Sequence, residues 1–234
     1  MKYSIIIPVL NEEYYIRRSV HSVAVQDFLR EEFEIIVVDN GSTDKSIDIA
    51  KQTGADIVVY EEKRGTNSAR NKGITVSSGE ILIFIDADTE PDAHWLSRID
   101  NILRDTTIGA ISGPYEYGFR GIKKIISFFV YEIGFEIIGP IISFLLRKPV
   151  SAFMGGNFAV RRKAIEKIKK FPEIPFWGDD TAISMMLMAV GEKVVFTRKI
   201  KIKSSDRRFR SEGFIILSLK YFYHFFRMYF TFNV

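Results

Sequence analysis

Four apolar runs, YSIIIPV (3–9), FEIIVVD (33–39), ADIVVYE (55–61) and EILIFID (80–86), are each followed by a segment of helical periodicity. A strand that is hydrocarbon along its whole length must be covered on both faces, because a half-exposed strand alternates apolar and polar residues. Alternating strands and helices with such cores predict an α/β domain around a mostly parallel, Rossmann-like sheet. The predicted helices are NEEYYIRRSVHSVAVQ (11–26), with Asn11 as N-cap, STDKSIDIAKQTG (42–54), closed by Gly54, TNSARNKGITVSSG (66–79) and DAHWLSRIDNILRD (92–105). IGAISGPYEY (108–117) reads as a fifth strand.

Ligands of open α/β sheets bind at the carboxyl ends of the strands. The predicted strands deliver polar residues there: Asn11 after the first, Asp39 after the second, Asp86 and Asp88 after the fourth. An Asp-x-Asp pair can hold a hard divalent cation such as Mg²⁺ or Mn²⁺ together with a substrate diphosphate. Asp39, ahead of a Ser/Thr-rich turn, suits the edge of a nucleobase or ribose, while Ser42 or Thr43 reads as a helix cap with Asp44 in the first turn. Arg70, in GTNSARNKG, suits a diphosphate or an acid, or a surface salt bridge. Asp179 and Asp180 precede an apolar helix. Capping needs one acid, and the second can act as a general base.

The chain has 234 residues, is 47% hydrophobic and carries a formal charge of +4, so it is globular rather than disordered. It contains no cysteine, which excludes a disulfide scaffold and thiolate-bound metal and agrees with a reducing cytoplasm. MKYSIIIPVLNEE is too short in its apolar run for a signal peptide and reads as a first strand. Bases cluster in RRKAIEKIKK (161–170) and RKIKIKSSDRRFR (198–210), suiting phosphates or anionic lipid heads as well as plain solvation.

The second half is less regular. Residues 125–146 are apolar enough to span a bilayer, but Glu132 and Glu136 stand in the middle, and Gly134, Gly139 and Pro140 interrupt the run. Amphipathic helices on a membrane or a partner fit better than a transmembrane helix, with a buried hairpin as the alternative. The tail, GFIILSLKYFYHFFRMYFTFNV (213–234), sets Lys220, His224 and Arg227 among aromatics. It suits a membrane interface or a terminal helix docked on the core. Together with the basic run it predicts peripheral attachment at the cytoplasmic face of the membrane.

SIIIPVLNEE, IIVVDNGSTD, GTNSARNKGI, ILIFIDADT, GGNFAVRRKAI and WGDD occur in the order and spacing of family 2 glycosyltransferases, which the chain resembles over roughly residues 1–200. The resemblance implies a GT-A fold and an inverting, hexosyltransferase-type enzyme that uses a nucleotide-sugar, UDP- or GDP-linked, and Mg²⁺ or Mn²⁺. It implies that Pro8, Asn11 or Glu12 and Asp39 line the nucleotide pocket and that Arg70 lies beside the base or diphosphate. Asp86 approaches the ribose and Asp88 ligates the metal. Gly156 and Asn157 lie under the donor sugar or acceptor, and Asp180 is the catalytic base. The family usually has Glu where this chain has Asp179, which puts that residue's acceptor contact in question. SSDRRFRSEG resembles an S-x-RR segment of some small members, so Arg207 or Arg208 reaches the diphosphate.

The corresponding organisation is a nucleotide-sugar-binding half over 1–117, an apolar helical insertion over 118–150, an acceptor-binding half over 151–212 and an amphipathic aromatic helix over 213–234. The apolar insertion and tail suggest a lipid-linked acceptor such as a polyprenyl-phosphate glycan, with a free glycan or a protein as alternatives. Four rivals are weaker. FIDADT also fits the Asp-x-Asp-x-Thr pattern of haloacid-dehalogenase-like phosphatases, but that nucleophile normally follows a first strand, not a fourth. An inactive membrane-bound binding module has no need for Asp39, Asp86, Asp88 and Asp180 together. A dehydrogenase lacks G-x-G-x-x-G after the first strand. Nucleic-acid binding rests on basic patches alone and is not expected.

Overall fold

A computed structural model of the chain describes residues 1–129, 133, 136–137, 141, 144, 153–174 and 178–231. About half of the expected insertion, including Glu132, Gly134, Gly139 and Pro140, lies outside the described residues, as does Trp177 of the WGDD motif.

A seven-stranded sheet forms the centre, in the order β3 (Ile57–Tyr60), β2 (Phe33–Asp39), β1 (Tyr3–Val9), β4 (Ile81–Ile85), β8 (Asn157–Arg161), β6 (Ile108–Ser112), β9 (Lys193–Phe196). All pairings are parallel except those of β8, which runs antiparallel between β4 and β6. The two predicted halves of the domain therefore share one sheet. A second sheet joins β5 (Thr89–Glu90), β10 (Ile202–Ser204) and β7 (Tyr115–Tyr117).

The two faces of the strands explain their composition. Ile5, Ile7, Ile35, Val37, Ile83 and Ile85 point to one core, packed with Ile16 and Val20 of α1 (Ile16–Ala24) and Trp95 and Ile99 of α4 (Trp95–Leu103). Ile6, Ile36, Val38, Leu82 and Phe84 point to the other. They pack with Ala69 of α3 (Thr66–Val76), Ile165 of α6 (Arg162–Ile168) and Ile183 and Leu187 of α7 (Asp179–Ala189). Each fully buried branched side chain stabilises the fold by about 1.5–3 kcal/mol, which is why neither face tolerates polar alternation.

Pro8 sets the position of the site. It stands in β1, a central strand, where a missing N–H would break a ladder. Pairing with β2 runs to Val9, but pairing with β4 stops at Ile6. The sheet opens between β1 and β4, where chain order turns from 3-2-1 outward to 4, the usual place for a ligand.

Three local expectations are corrected. Asn11 is not an N-cap: it has φ 56°, and the helix begins at Ile16 with Tyr15 before it. Its side chain serves the next loop instead, its Oδ1 accepting from the Thr43 amide at 2.8 Å. Ser42 and Thr43 do not cap α2 (Ser46–Thr53); Ser42 Oγ accepts from the Asn11 amide, and Asp44 Oδ1 accepts from the Ser46 amide at 2.9 Å. Gly54 does close α2, in the left-handed region. The expected strand over 108–117 is two strands in different sheets, because Gly113 and Pro114 turn the chain beside Ile200.

The tail forms α9 (Phe214–Thr231), preceded by α8 (Arg207–Glu212). Leu217 and Tyr229 are buried, and Phe209, Phe214, Tyr221, Tyr117 and Phe119 form an aromatic knot beneath the helix. A Cβ at Gly178 would overlap Met228, so α9 lies hard against the start of α7. Among the described residues no helix is long and apolar enough to cross a membrane.

Candidate active site

The opening between β1 and β4 leads into a cavity of about 570 Å³. Pro8 and Glu12 line it from the end of β1, Asp86 and Asp88 from the end of β4, Arg70 from α3 and Gly156 from the start of β8. Asp179 and Asp180 enter from the first turn of α7, Arg207 and Arg208 from α8, and Tyr221, His224 and Phe225 from α9. The fold thus brings together residues from all six sequence motifs, IIVVDNGSTD through Asn40 alone.

Arg70 is the central tie. It is 2% exposed, so the surface salt bridge is excluded. Its Nη1 donates to Asp179 Oδ2 at 2.8 Å and Asn67 Oδ1 at 2.9 Å, and its Nη2 donates to the Gly155 carbonyl at 2.5 Å. Asp86 Oδ1 stands 3.7 Å from Nη2. A buried guanidinium is tolerable only with such partners, and removing one would leave an uncompensated charge. Arg70 therefore holds the β4 carboxylate and the α7 carboxylate to one framework. Asp179, the residue that departs from the usual Glu, is occupied in this tie.

Asp86 receives a second contact that sequence gave no sign of. The Tyr115 hydroxyl donates to Asp86 Oδ2 at 3.2 Å and accepts from the Gly156 amide at 2.6 Å. Burial first, then the Asp86 charge, holds the Tyr115 phenol well above its usual range, so it remains a proton donor. A Cβ at Gly156 would overlap the Asp86 carboxylate and lie 2.5 Å from the Tyr115 oxygen, so only glycine fits. Tyr115 follows a Gly-Pro turn with no periodicity to mark it.

Asp88 is deeper than Asp86, and Arg207 Nε lies 3.3 Å from its Oδ2. The same guanidinium is bidentate to Glu12, with Nη1 to Oε2 at 2.6 Å and Nη2 to Oε1, and it covers the Tyr15 ring. Burial, then the Asp86 charge, pushes the Asp88 carboxyl up to about 7 against the pull of Arg207. A pocket that crowds Asp86, Asp88 and Glu12 is short of positive charge, and Arg207 supplies one. Among the described residues no three His, Asp or Glu side chains converge on one point. Asp86 and Asp88, both lining the cavity, are the one or two carboxylates through which Mg²⁺ or Mn²⁺ would be held, the rest of its shell coming from ligand phosphates and water.

Asp180 faces the same cavity. Burial, then the adjacent Asp179 charge, pushes its carboxyl up to about 7, opposed by the Thr181 amide, which donates to Oδ1 at 2.7 Å, and by Arg70. A carboxyl with that poise is suited to accept a proton near neutrality. Arg208, in the opposite wall, hydrogen-bonds the Tyr221 hydroxyl.

Three predicted residues do not line the cavity. Asn157 is fully buried behind Gly156: it accepts from Trp95 Nε1 at 3.2 Å and donates to the carbonyls of Gly113 at 3.0 Å and Ile200 at 2.8 Å. It locks the β6–β8 corner. Asn11 is held in its loop by Ser42 and Thr43. Asp39 Oδ1 accepts from the amides of Gly41 at 3.1 Å and Ser42 at 2.8 Å, shaping the turn that presents Asn40 to the cavity. Aromatic residues of α9 were visible in the tail, but nothing local placed them over the pocket.

The chain matches the model of glycosyl transferase family 2 over residues 4–169. It is 31% identical over 166 residues to the glycosyltransferase AglE of Haloferax volcanii, covering 58% of this chain and 55% of that protein. It is 35% identical over 134 residues to the poly(ribitol-phosphate) beta-glucosyltransferase of Bacillus spizizenii, covering 53% and 21%. The chain thus spans from about a fifth to just over half the length of these relatives. Among solved structures it superposes on a mannosyltransferase of Pyrobaculum calidifontis in complex with GDP-Man and Mn²⁺, with TM-score 0.66, 21% identity, and coverage of 87% of this chain and 56% of that one. It also superposes on TarS residues 1–349 of Staphylococcus aureus in complex with UDP, with TM-score 0.70, 18% identity, and coverage of 100% and 73%. These likenesses bear out the GT-A fold, and the family match displaces the phosphatase reading. With the family model covering most of the chain and the motif residues gathered at one crevice, this protein belongs to glycosyl transferase family 2.

Proposed function

We propose that this chain moves a sugar from a nucleoside-diphosphate sugar to an acceptor hydroxyl by one inverting displacement. The observation that carries the reading is the division of labour within one cavity. Asp86 and Asp88 stand on the sheet wall with Arg207, and Asp180 stands across from them on α7, with Arg70 tying Asp86 to Asp179. The first group suits a diphosphate and its cation, and the second suits an incoming hydroxyl.

The residues have separate tasks. Asp39 shapes the turn that presents Asn40, and that turn meets a base edge. Arg207 and Arg208 meet the diphosphate, where fixed cations stabilise charge that grows as the leaving group departs. Asp180 takes the proton of the attacking hydroxyl. Tyr115 and Gly156 keep the Asp86 carboxylate in place. A divalent cation held by Asp88 neutralises part of the diphosphate charge when bound. A single attack from the face opposite the leaving group inverts the anomeric centre.

The acceptor we propose is lipid-linked. Tyr221 and Phe225 make the α9 side of the cavity apolar, which suits the first isoprene-like groups behind a phosphate better than bulk water. A relative in Methanococcus voltae, 36% identical over 101 residues covering 41% of this chain and 32% of its own length, is named as acting on a dolichyl phosphate sugar.

The test is a thermal-shift panel of UDP, GDP, CDP and dTDP with and without Mn²⁺, on wild type and Asp88→Ala. Ligand binding to the folded state raises Tm by mass action, by roughly 2.7 kcal/mol of stability at a hundredfold excess over Kd. One nucleotide should give a Mn²⁺-dependent shift that Asp88→Ala loses. No shift with any of the four would refute donor binding.

A further inference from the structure

The outer face of α9 is bare. Ile215 is 72% exposed, Leu219 63%, Tyr223 64% and Phe230 63%, and Ile216 and Phe226 fill the gaps between them. This spacing puts them on one stripe of a helix, the stripe that would normally face a core. The start of the insertion repeats the pattern. Helix α5 (Ile122–Ser127) exposes Ile122 and Ile125, and Phe129 just beyond it is 60% exposed. The two helices leave from one place: Phe119, ahead of α5, meets Phe214, the first residue of α9, edge to face at 5.2 Å. Among the described residues these apolar side chains stand exposed on both helices, and large exposed apolar patches mark binding faces.

Charge decides the occupant. Lys123 and Lys124 stand among the exposed residues of α5 and Arg227 on the exposed face of α9, while Lys220 on that face is ion-paired with Glu212 at the end of α8. No acid occurs in residues 118–129 or in 213–231. A protein partner would bring neutral apolar surface to such a stripe and has no need of flanking bases. A bilayer with anionic headgroups takes both: rings and aliphatic chains enter the acyl boundary while Lys and Arg reach back to phosphates.

We infer that α5 and α9 form a docking surface for an anionic lipid bilayer. The inner face of α9 lines the cavity through Tyr221, His224 and Phe225, so the stripe is separated from the cavity by one helix thickness, about 10 Å. A lipid-borne acceptor would reach Asp180 along this helix without leaving the membrane surface. The surface stands on the exposed residues themselves; its use for an acceptor rests on the transferase reading above.

Flotation of the full chain with vesicles tests it. The chain should float with a phosphatidylcholine–phosphatidylglycerol mixture, and at least fivefold less with phosphatidylcholine alone or in high salt, because screening weakens the contribution of the bases. Leu219→Glu/Phe226→Glu should abolish flotation, and Lys123→Glu/Lys124→Glu should reduce it severalfold. Both variants alter exposed side chains, and far-ultraviolet dichroism with an unchanged Tm checks that they fold. Wild type that stays unbound with both vesicles would overturn the inference, as would a Leu219→Glu/Phe226→Glu variant that floats like wild type. A concentration-dependent dimer that this variant dissolves, without vesicle binding, would instead assign the stripe to a second copy. The nucleotide thermal shift, read on the same samples, separates failure of membrane docking from failure of the transferase reading.

Discussion

Asp86 and Asp88 stand at the end of β4, whose five residues are all buried, whereas Tyr221 and Phe225 reach the same cavity from a helix whose outer turns are bare. The strand wall is fixed from both sides by two apolar cores and by the Arg70 and Tyr115 ties. The helix wall rests on one small aromatic knot and two buried side chains, Leu217 and Tyr229. Local stability follows buried apolar contacts, so the helix wall belongs to the end of the molecule that opens more readily. One side of the pocket is built to hold charge in place, and the other can adapt to what enters.

The largest effect that separates the walls is chemical. Asp180→Asn should lower the transfer rate about 10²–10⁴-fold, the usual contribution of a positioned general base, while the nucleotide thermal shift stays unchanged. Retained transfer would remove Asp180 from the mechanism. In wild type the same residue sets a pH dependence. With its carboxyl raised to about 7, kcat/KM should fall about tenfold per pH unit below that point. With Mn²⁺ saturating the site proposed at Asp88, that carboxylate would stay ionised and the remaining limb would belong to Asp180.

A smaller effect tests the rigidity of the strand wall. Gly156→Ala forces a methyl group onto Asp86 and Tyr115 and should cost about 1–3 kcal/mol. In a chain of this size each kcal/mol lowers Tm by roughly 2–4 °C. An unchanged Tm would mean that the wall yields as easily as the helix side.

Asp180 also leaves a mark on stability. Its folded pKa lies above the unfolded value, so the folded state holds a proton that the unfolded state has released between about pH 4 and 7. The stability it contributes is complete at low pH and is lost as pH rises through about 7. Asp180→Asn should therefore raise Tm relative to wild type at pH 8 but not at pH 4. Differential scanning fluorimetry at the two pH values reads the difference. The smallest effect belongs to the helix wall. Tyr221→Phe removes a hydroxyl bonded to Arg208 and should cost no more than about 1 kcal/mol. A loss as large as that of Gly156→Ala would erase the contrast between the walls.

The sequence by itself determined the sheet and where its chemistry lies. Unbroken apolar strands can exist only between two covering layers, and carboxylates after β4 and at the start of α7 can reach only the crevice at the strand ends, so Asp86, Asp88 and Asp180 were legible. The tertiary structure decided which residues meet. Which residue Arg70 pairs with depends on α7 folding back beside β4, a contact across 109 positions. Tyr115 reaches Asp86 because the chain turns at Gly113 and Pro114 into a different sheet, and Asn157 is drawn away from the cavity because β8 enters between β4 and β6. Asn11 looked like a helix cap because capping is a local pattern, yet its bonds go to a loop across 32 positions. Periodicity records which face of an element is buried, but it carries no record of the neighbour that buries it, and the walls of this pocket are made by neighbours.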